Sequence, residues 1–157
     1  MSRLTPITKR DQVTGDALEA FDAIIESRNS INGPHSMMMY APEVARCSTA
    51  LSDSLRFGGN LSDHDTELAI ITAARHWDCG YVWASHSAAA LKAGARPEAV
   101  EIIASGDSLN GLTKEEAIIV RYGRELMDNH QLSQETFDAA LAQFGEANTI
   151  VLGALMG

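Results

Sequence analysis

Apolar positions recur at helical spacing along nearly the whole chain, and no run carries a convincing strand or hairpin signal. In residues 15–29, Leu18, Phe21, Ile24 and Ile25 share one face, which predicts an amphipathic helix. Asn32-Gly33-Pro34 interrupts as a turn, because glycine accepts positive φ while proline fixes φ and lacks a donor. A short apolar run over residues 37–40 follows. Ala41-Pro42 opens the next helix, with proline where a first turn tolerates it, and Gly58-Gly59-Asn60 closes it. Ser62 is the expected N-cap of a helix running to about residue 79, with Asp63 and Asp65 in the first turn, where the helix dipole favours anions. Leu68, Ile70, Ile71 and Ala74 form its expected buried stripe, and Gly80 its expected break.

The helix from Tyr81 is expected to end at Gly94, and Pro97 to open another. Thr113 and Glu116 have the spacing of a capping box, in which each side chain satisfies the other's backbone donor. Ser133 and Thr136 repeat that spacing without the acid. Residues 146–156 read as a last, nearly all-apolar helix. The pattern predicts an all-α fold, a compact bundle of about seven or eight helices, in a single domain over 1–157 with residues 1–14 as an N-terminal extension. The apolar end at Gly157 predicts packing against another surface, such as a second subunit, or a natural chain that continues.

Charge narrows the function classes. A formal net charge of −9 and no basic run argue against nucleic-acid binding, which draws on clustered Lys and Arg. The first residues have no apolar core of signal-peptide length, and no stretch approaches an uninterrupted membrane span, so a soluble, cytoplasmic protein is expected. Two widely separated cysteines, Cys47 and Cys79, make no disulfide framework. The compositional anomaly is "HWDCGYVWASH", residues 76–86, which concentrates Trp77, Tyr81 and Trp83 beside Cys79 and two histidines. Cys79, Val82 and His86 are spaced for one helix face, with Cys79 and His86 about 10 Å apart along the axis.

The order Glu67, Cys79, His86, followed by "AAALKAG", resembles the carboxymuconolactone decarboxylase and alkylhydroperoxidase-like superfamily. "NGPHSMMMYAPEVA" is similar to that family's Gly-Pro loop and following helix start, and "YVWASHSAAALKAG" to its Trp-x-x-His helix. The resemblance covers roughly residues 15–157. It implies an alkylhydroperoxidase-like bundle with no metal or organic cofactor. It also implies a homo-oligomer, trimeric or hexameric, with the site near a subunit contact.

Two branches of the family would use the face differently. The peroxidase-reductase branch has a Cys-x-x-Cys pair, and here position 82 is Val82, so the second thiol of a dithiol cycle is missing. The decarboxylase-like branch keeps glutamate, tryptophan and histidine, here Glu67, Trp83 and His86. The expected activity is therefore a cofactor-independent carboxy-lyase of aromatic catabolism, acting on a small carboxylated, ring-derived acid or lactone. His86 would exchange the proton and Glu67 would be its partner. Trp83, Tyr81, Cys79, His35 and Met38 would contact or enclose substrate, and Arg56 or Arg75 could hold a carboxylate.

Plainer roles stand beside these. Glu67 could be a first-turn acid, His86 a core histidine, Trp83 packing, Cys79 an inert thiol, and His35 a loop histidine. A metal cluster of His64, Glu67, His76 and His86 lacks the spacing of known Zn motifs. Two alternatives remain open: a thiol-dependent antioxidant that uses Cys79, and a non-catalytic binding protein on the same scaffold.

Overall fold

The computed structural model describes residues 3–106 and 108–157. Among them are eight α-helices and no strand. The chain divides into two compact units, Met1–Phe57 and Gly58–Gly157.

The first unit holds a short 3-10 turn at Arg10–Gln12, then α1 (Ala17–Arg28), α2 (Gly33–Met38) and α3 (Pro42–Phe57). Its core gathers Val13, Ala20, Phe21, Ile24, Ile31, Met39 and Ala45. Ile25, expected on the buried face of α1, is 36% exposed, and the interior position is taken by Ala20 instead. The Gly-Pro segment is a helix rather than a loop. Gly33 takes the left-handed φ of 51°, Pro34 sits in the first turn, and the chain coils through Met38. Helices α1 and α3 are joined by the Arg28–Asp53 ion pair at 2.5 Å, and Ser27 donates to the same carboxylate.

The second unit is built around α4 (Asp63–His76), which packs on α5 (Gly80–Lys92), α6 (Pro97–Ser105), α7 (Lys114–Asn129) and α8 (Gln134–Met156). Contact on so many sides buries Thr66, Glu67, Leu68, Ala69, Ile71, Thr72 and Ala74, more than one stripe. Ile70 is only half-buried, and the small Ala69 lies deeper. The local caps follow the sequence. Ser62 and Ser133 accept from Asp65 and Thr136 backbone amides, and Thr113 forms the capping box with Glu116. Gly94 (φ 97°) ends α5, with its amide on the Leu91 carbonyl and that of Ala95 on the Ala90 carbonyl.

The last two expected helices follow one another within α8 and part at Gly145, where the sequence pattern divides them. Helix α8 passes through Gly145, whose φ of 74° and ψ of 172° kink it. By length and composition alone α8 is long and apolar enough to cross a membrane. The kink leaves an arm on either side of Gly145, at 134–144 and 146–156, each about 16 Å long against the ~30 Å of a hydrocarbon core.

Gly123 marks the closest approach of α7 to its neighbours. A Cβ there would lie 2.8 Å from Thr72 Cγ2 on α4 and 2.9 Å from Met156 Sδ on α8. Gly123→Ala is expected to lower stability by about 1–2 kcal/mol, although alanine is the better helix former by about 1 kcal/mol. An unchanged or raised urea midpoint would mean that Thr72 and Met156 can withdraw without cost.

Candidate functional site

Helix α4 turns into α5 through Trp77, Asp78 and Cys79. Asp78 takes the left-handed conformation (φ 48°), its amide bonds to the Arg75 carbonyl at 3.3 Å, and the Cys79 amide reaches the Ala74 carbonyl at 2.8 Å. This is a Schellman ending, with an aspartate where glycine is usual. The expected break at Gly80 therefore falls two residues earlier, and Gly80 is already helical. Cys79 is the residue before α5 rather than a member of it, so its face relative to Val82 and His86 is not set by helical periodicity alone.

The antiparallel return brings the two principal candidates together. Glu67, just over one turn into α4, is 7% exposed. His86, nearly two turns into α5, faces it with Nδ1 2.7 Å from Glu67 Oε2. A carboxylate out of water needs a partner, and the imidazole provides one. With Nδ1–H donating to the carboxylate, Nε2 is left as the ring's second proton site, and it has no partner among the described residues. The imidazole remains 21% exposed beside a buried acid.

The other candidates are distributed unevenly. Trp83 is half-buried, packs on the core of the second unit, and lies one turn before His86 on α5. Tyr81 is exposed. Cys79 is half-buried and a free thiol. It shares an open cleft of ≈ 270 Å³ with Arg75, Asp78, Gly80, Trp83 and Ala104. Arg75 is fixed there by donating from Nε to the Ala104 carbonyl at 2.6 Å.

His35 and Met38 belong to the first unit, on α2. Partial burial, followed by the Arg28 cation, holds the His35 imidazole below the ordinary histidine range against the opposing pull of Asp53. Met38 packs against the first unit's core. Cys47, also in that unit, is an exposed free thiol whose Sγ donates to Glu43 Oε1 at 3.4 Å. The remaining histidines of α4 have separate acids: His64 pairs with Asp65 and His76 with Asp128.

Sequence reasoning passed over Asp78. Its signal was an aspartate in a break between two helices, where Asp and Asn tolerate the left-handed region better than most residues.

A paired glutamate and histidine on consecutive helices, with a tryptophan one turn before the histidine, lie within a stretch that matches a known family. Residues 42–126 match the Carboxymuconolactone decarboxylase family, just over half of the chain. The chain belongs to this family. No match was found among curated proteins. The family span takes in Glu67, Cys79, Trp83 and His86 and ends inside α7. An all-α bundle is the fold that this membership and the helices share.

Proposed function

We infer that this protein is a cofactor-independent carboxy-lyase, acting on a small carboxylated, ring-derived acid or lactone by proton transfer at His86. The observation that carries the reading is the 2.7 Å contact between Glu67 Oε2 and His86 Nδ1. The carboxylate orients the imidazole by accepting from Nδ1–H, while Nε2 addresses the substrate. On loss of CO2, the C–CO2 bond breaks and its electron pair passes into an adjacent carbonyl as an enolate. A new C–H bond then takes its proton from Nε2, and solvent returns that proton to the ring. Trp83 supplies a flat apolar wall one turn away.

A second reading, a thiol-dependent peroxide reductase, has one observation in its favour: Cys79 stands at the start of α5 and lines the cleft. Val82 weighs against it, because the residue one turn on cannot form a disulfide. One experiment compares the two. CO2 release is followed from carboxymuconolactone and a panel of β-keto acids, and peroxide consumption is followed with an external thiol. The lyase reading expects CO2 release to fall in His86→Ala and to persist in Cys79→Ser. It is overturned if His86→Ala keeps full turnover, or if only Cys79→Ser loses its activity, on peroxide.

A further inference from the structure

We propose that the cleft at the head of α5 is a subsite for a small flat molecule bearing a carboxylate at one end and a hydroxyl donor at the other. Arg75 receives the carboxylate and Asp78 the hydroxyl. The proposal deepens the proton-transfer reading by naming the chemistry of its ligand. It rests on that reading only in taking the ligand to be the reactant.

Four observations converge on this cleft. First, Arg75 and Asp78 both line it, and neither side chain forms an ion pair with a described residue, nor do the two pair with each other. Arg10, Arg28, Arg46, Arg96 and Arg121 by contrast each hold a carboxylate. Two residues of opposite charge that line one cleft without pairing are complementary to a ligand with an acceptor at one end and a donor at the other. Second, the Arg75 guanidinium is tethered by one donor, since Nε is committed to the Ala104 carbonyl at 2.6 Å, which leaves its terminal N–H groups for a ligand. A fixed fork loses less freedom on binding a carboxylate than a mobile one.

Third, Asp78 occupies a left-handed position that Gly94 fills in the equivalent turn at the end of α5. Glycine would meet the backbone requirement more easily, so the carboxylate is present at a conformational cost. Fourth, the shape suits a small planar body. Trp83 forms one wall, Gly80 contributes no side chain, and a Cβ built on Gly80 meets nothing within 4 Å. The volume, ≈ 270 Å³, lies just under the roughly 300–1,000 Å³ of drug-sized pockets. Trp83, which lines the cleft, lies one turn before His86 on the same helix.

The probe is meta-(hydroxymethyl)benzoate, with benzoate lacking the hydroxyl and benzyl alcohol lacking the carboxylate. Binding is measured by titration calorimetry. It is located by quenching of Trp83 fluorescence in Trp77→Phe protein, where Trp83 is the remaining tryptophan. The expected result is tightest binding of the hydroxy acid. Arg75→Gln should weaken the hydroxy acid and benzoate alike by about tenfold or more. Asp78→Asn, which keeps the left-handed preference, should weaken the hydroxy acid about fivefold and leave benzoate unchanged. Far-ultraviolet circular dichroism and urea midpoints establish that both variants fold. Equal affinity for benzyl alcohol, full affinity in folded Arg75→Gln, or no quenching of Trp83 overturns the proposal. Binding is read at equilibrium with a probe that need not react, so its failure is distinct from a failure of turnover.

Discussion

His86→Ala is expected to lower CO2-releasing turnover by about a hundred- to ten-thousand-fold, the usual worth of a positioned acid–base group. The loss should fall on kcat more than on KM, because Nε2 acts on the reacting carbon rather than on the substrate's remote parts. Glu67→Gln is the companion. An amide oxygen can still accept from Nδ1–H, so the ring keeps an orienting contact while losing the carboxylate's charge-assisted hydrogen bond. Its turnover should lie between those of wild type and His86→Ala. Stability should move the other way. Glu67 is only 7% exposed, and an uncharged amide is easier to bury than a carboxylate, so the urea midpoint of Glu67→Gln should be unchanged or raised. A purely structural ion pair predicts the reverse: lower stability in Glu67→Gln and no loss of rate in either variant.

Glu116→Ala is expected to be the most damaging change away from the site, at about 3 kcal/mol. One carboxylate does several jobs there. Oε2 accepts from the Thr113 amide at 2.8 Å, closing the capping box of α7, and from Arg96 at 2.5 Å, while Oε1 accepts from Arg96 Nε at 3.2 Å. Arg96 is the residue before α6, so this contact joins the starts of two helices. Glu116→Gln, which keeps a capping acceptor, should lose less.

The pH dependence follows from the sign of the shift. Burial pushes the Glu116 carboxyl up, but the Arg96 hydrogen bond, the Thr113 amide and the Arg96 charge outweigh it and hold the group below the ordinary glutamate range. Such a group contributes stability above its unfolded pKa, about 4.3, and loses it as pH falls through the depressed folded value. The stability gap between wild type and Glu116→Gln should therefore be full at neutral pH and close in acid. A gap that stays constant from neutral pH into the acid-unfolding range would remove the ionised carboxylate from this account.

These residues also show what was legible in the chain. Ser62, Thr113 and Ser133 could be placed as caps because a cap depends on residues three apart. Glu67 and His86 could be named from the resemblance and from helix spacing. Their meeting could not, since it depends on how α5 returns along α4. Ile25 and Ile70 were expected in the core on hydrophobicity, yet smaller residues took the interior where helices crowd most closely. Gly145 was legible as the boundary before the 146–156 helix, and Asp78 carried the signal of an aspartate in a helix break, but the backbone angles that each adopts depend on how the two flanking helices meet.

The return of α4 into α5 has a consequence for how the protein responds to damage. Glu67 and His86 are 19 residues apart, so closing the segment between them costs little chain entropy, and that cost grows only slowly with length. The pair is a near-neighbour object held by one helical hairpin, whereas the stability of the unit is spread over α6, α7 and α8 as well. Remote lesions such as those at Gly123 or Glu116 will then act mainly on how many molecules are folded. The molecules that remain folded keep their full rate, and the defect belongs to abundance rather than chemistry.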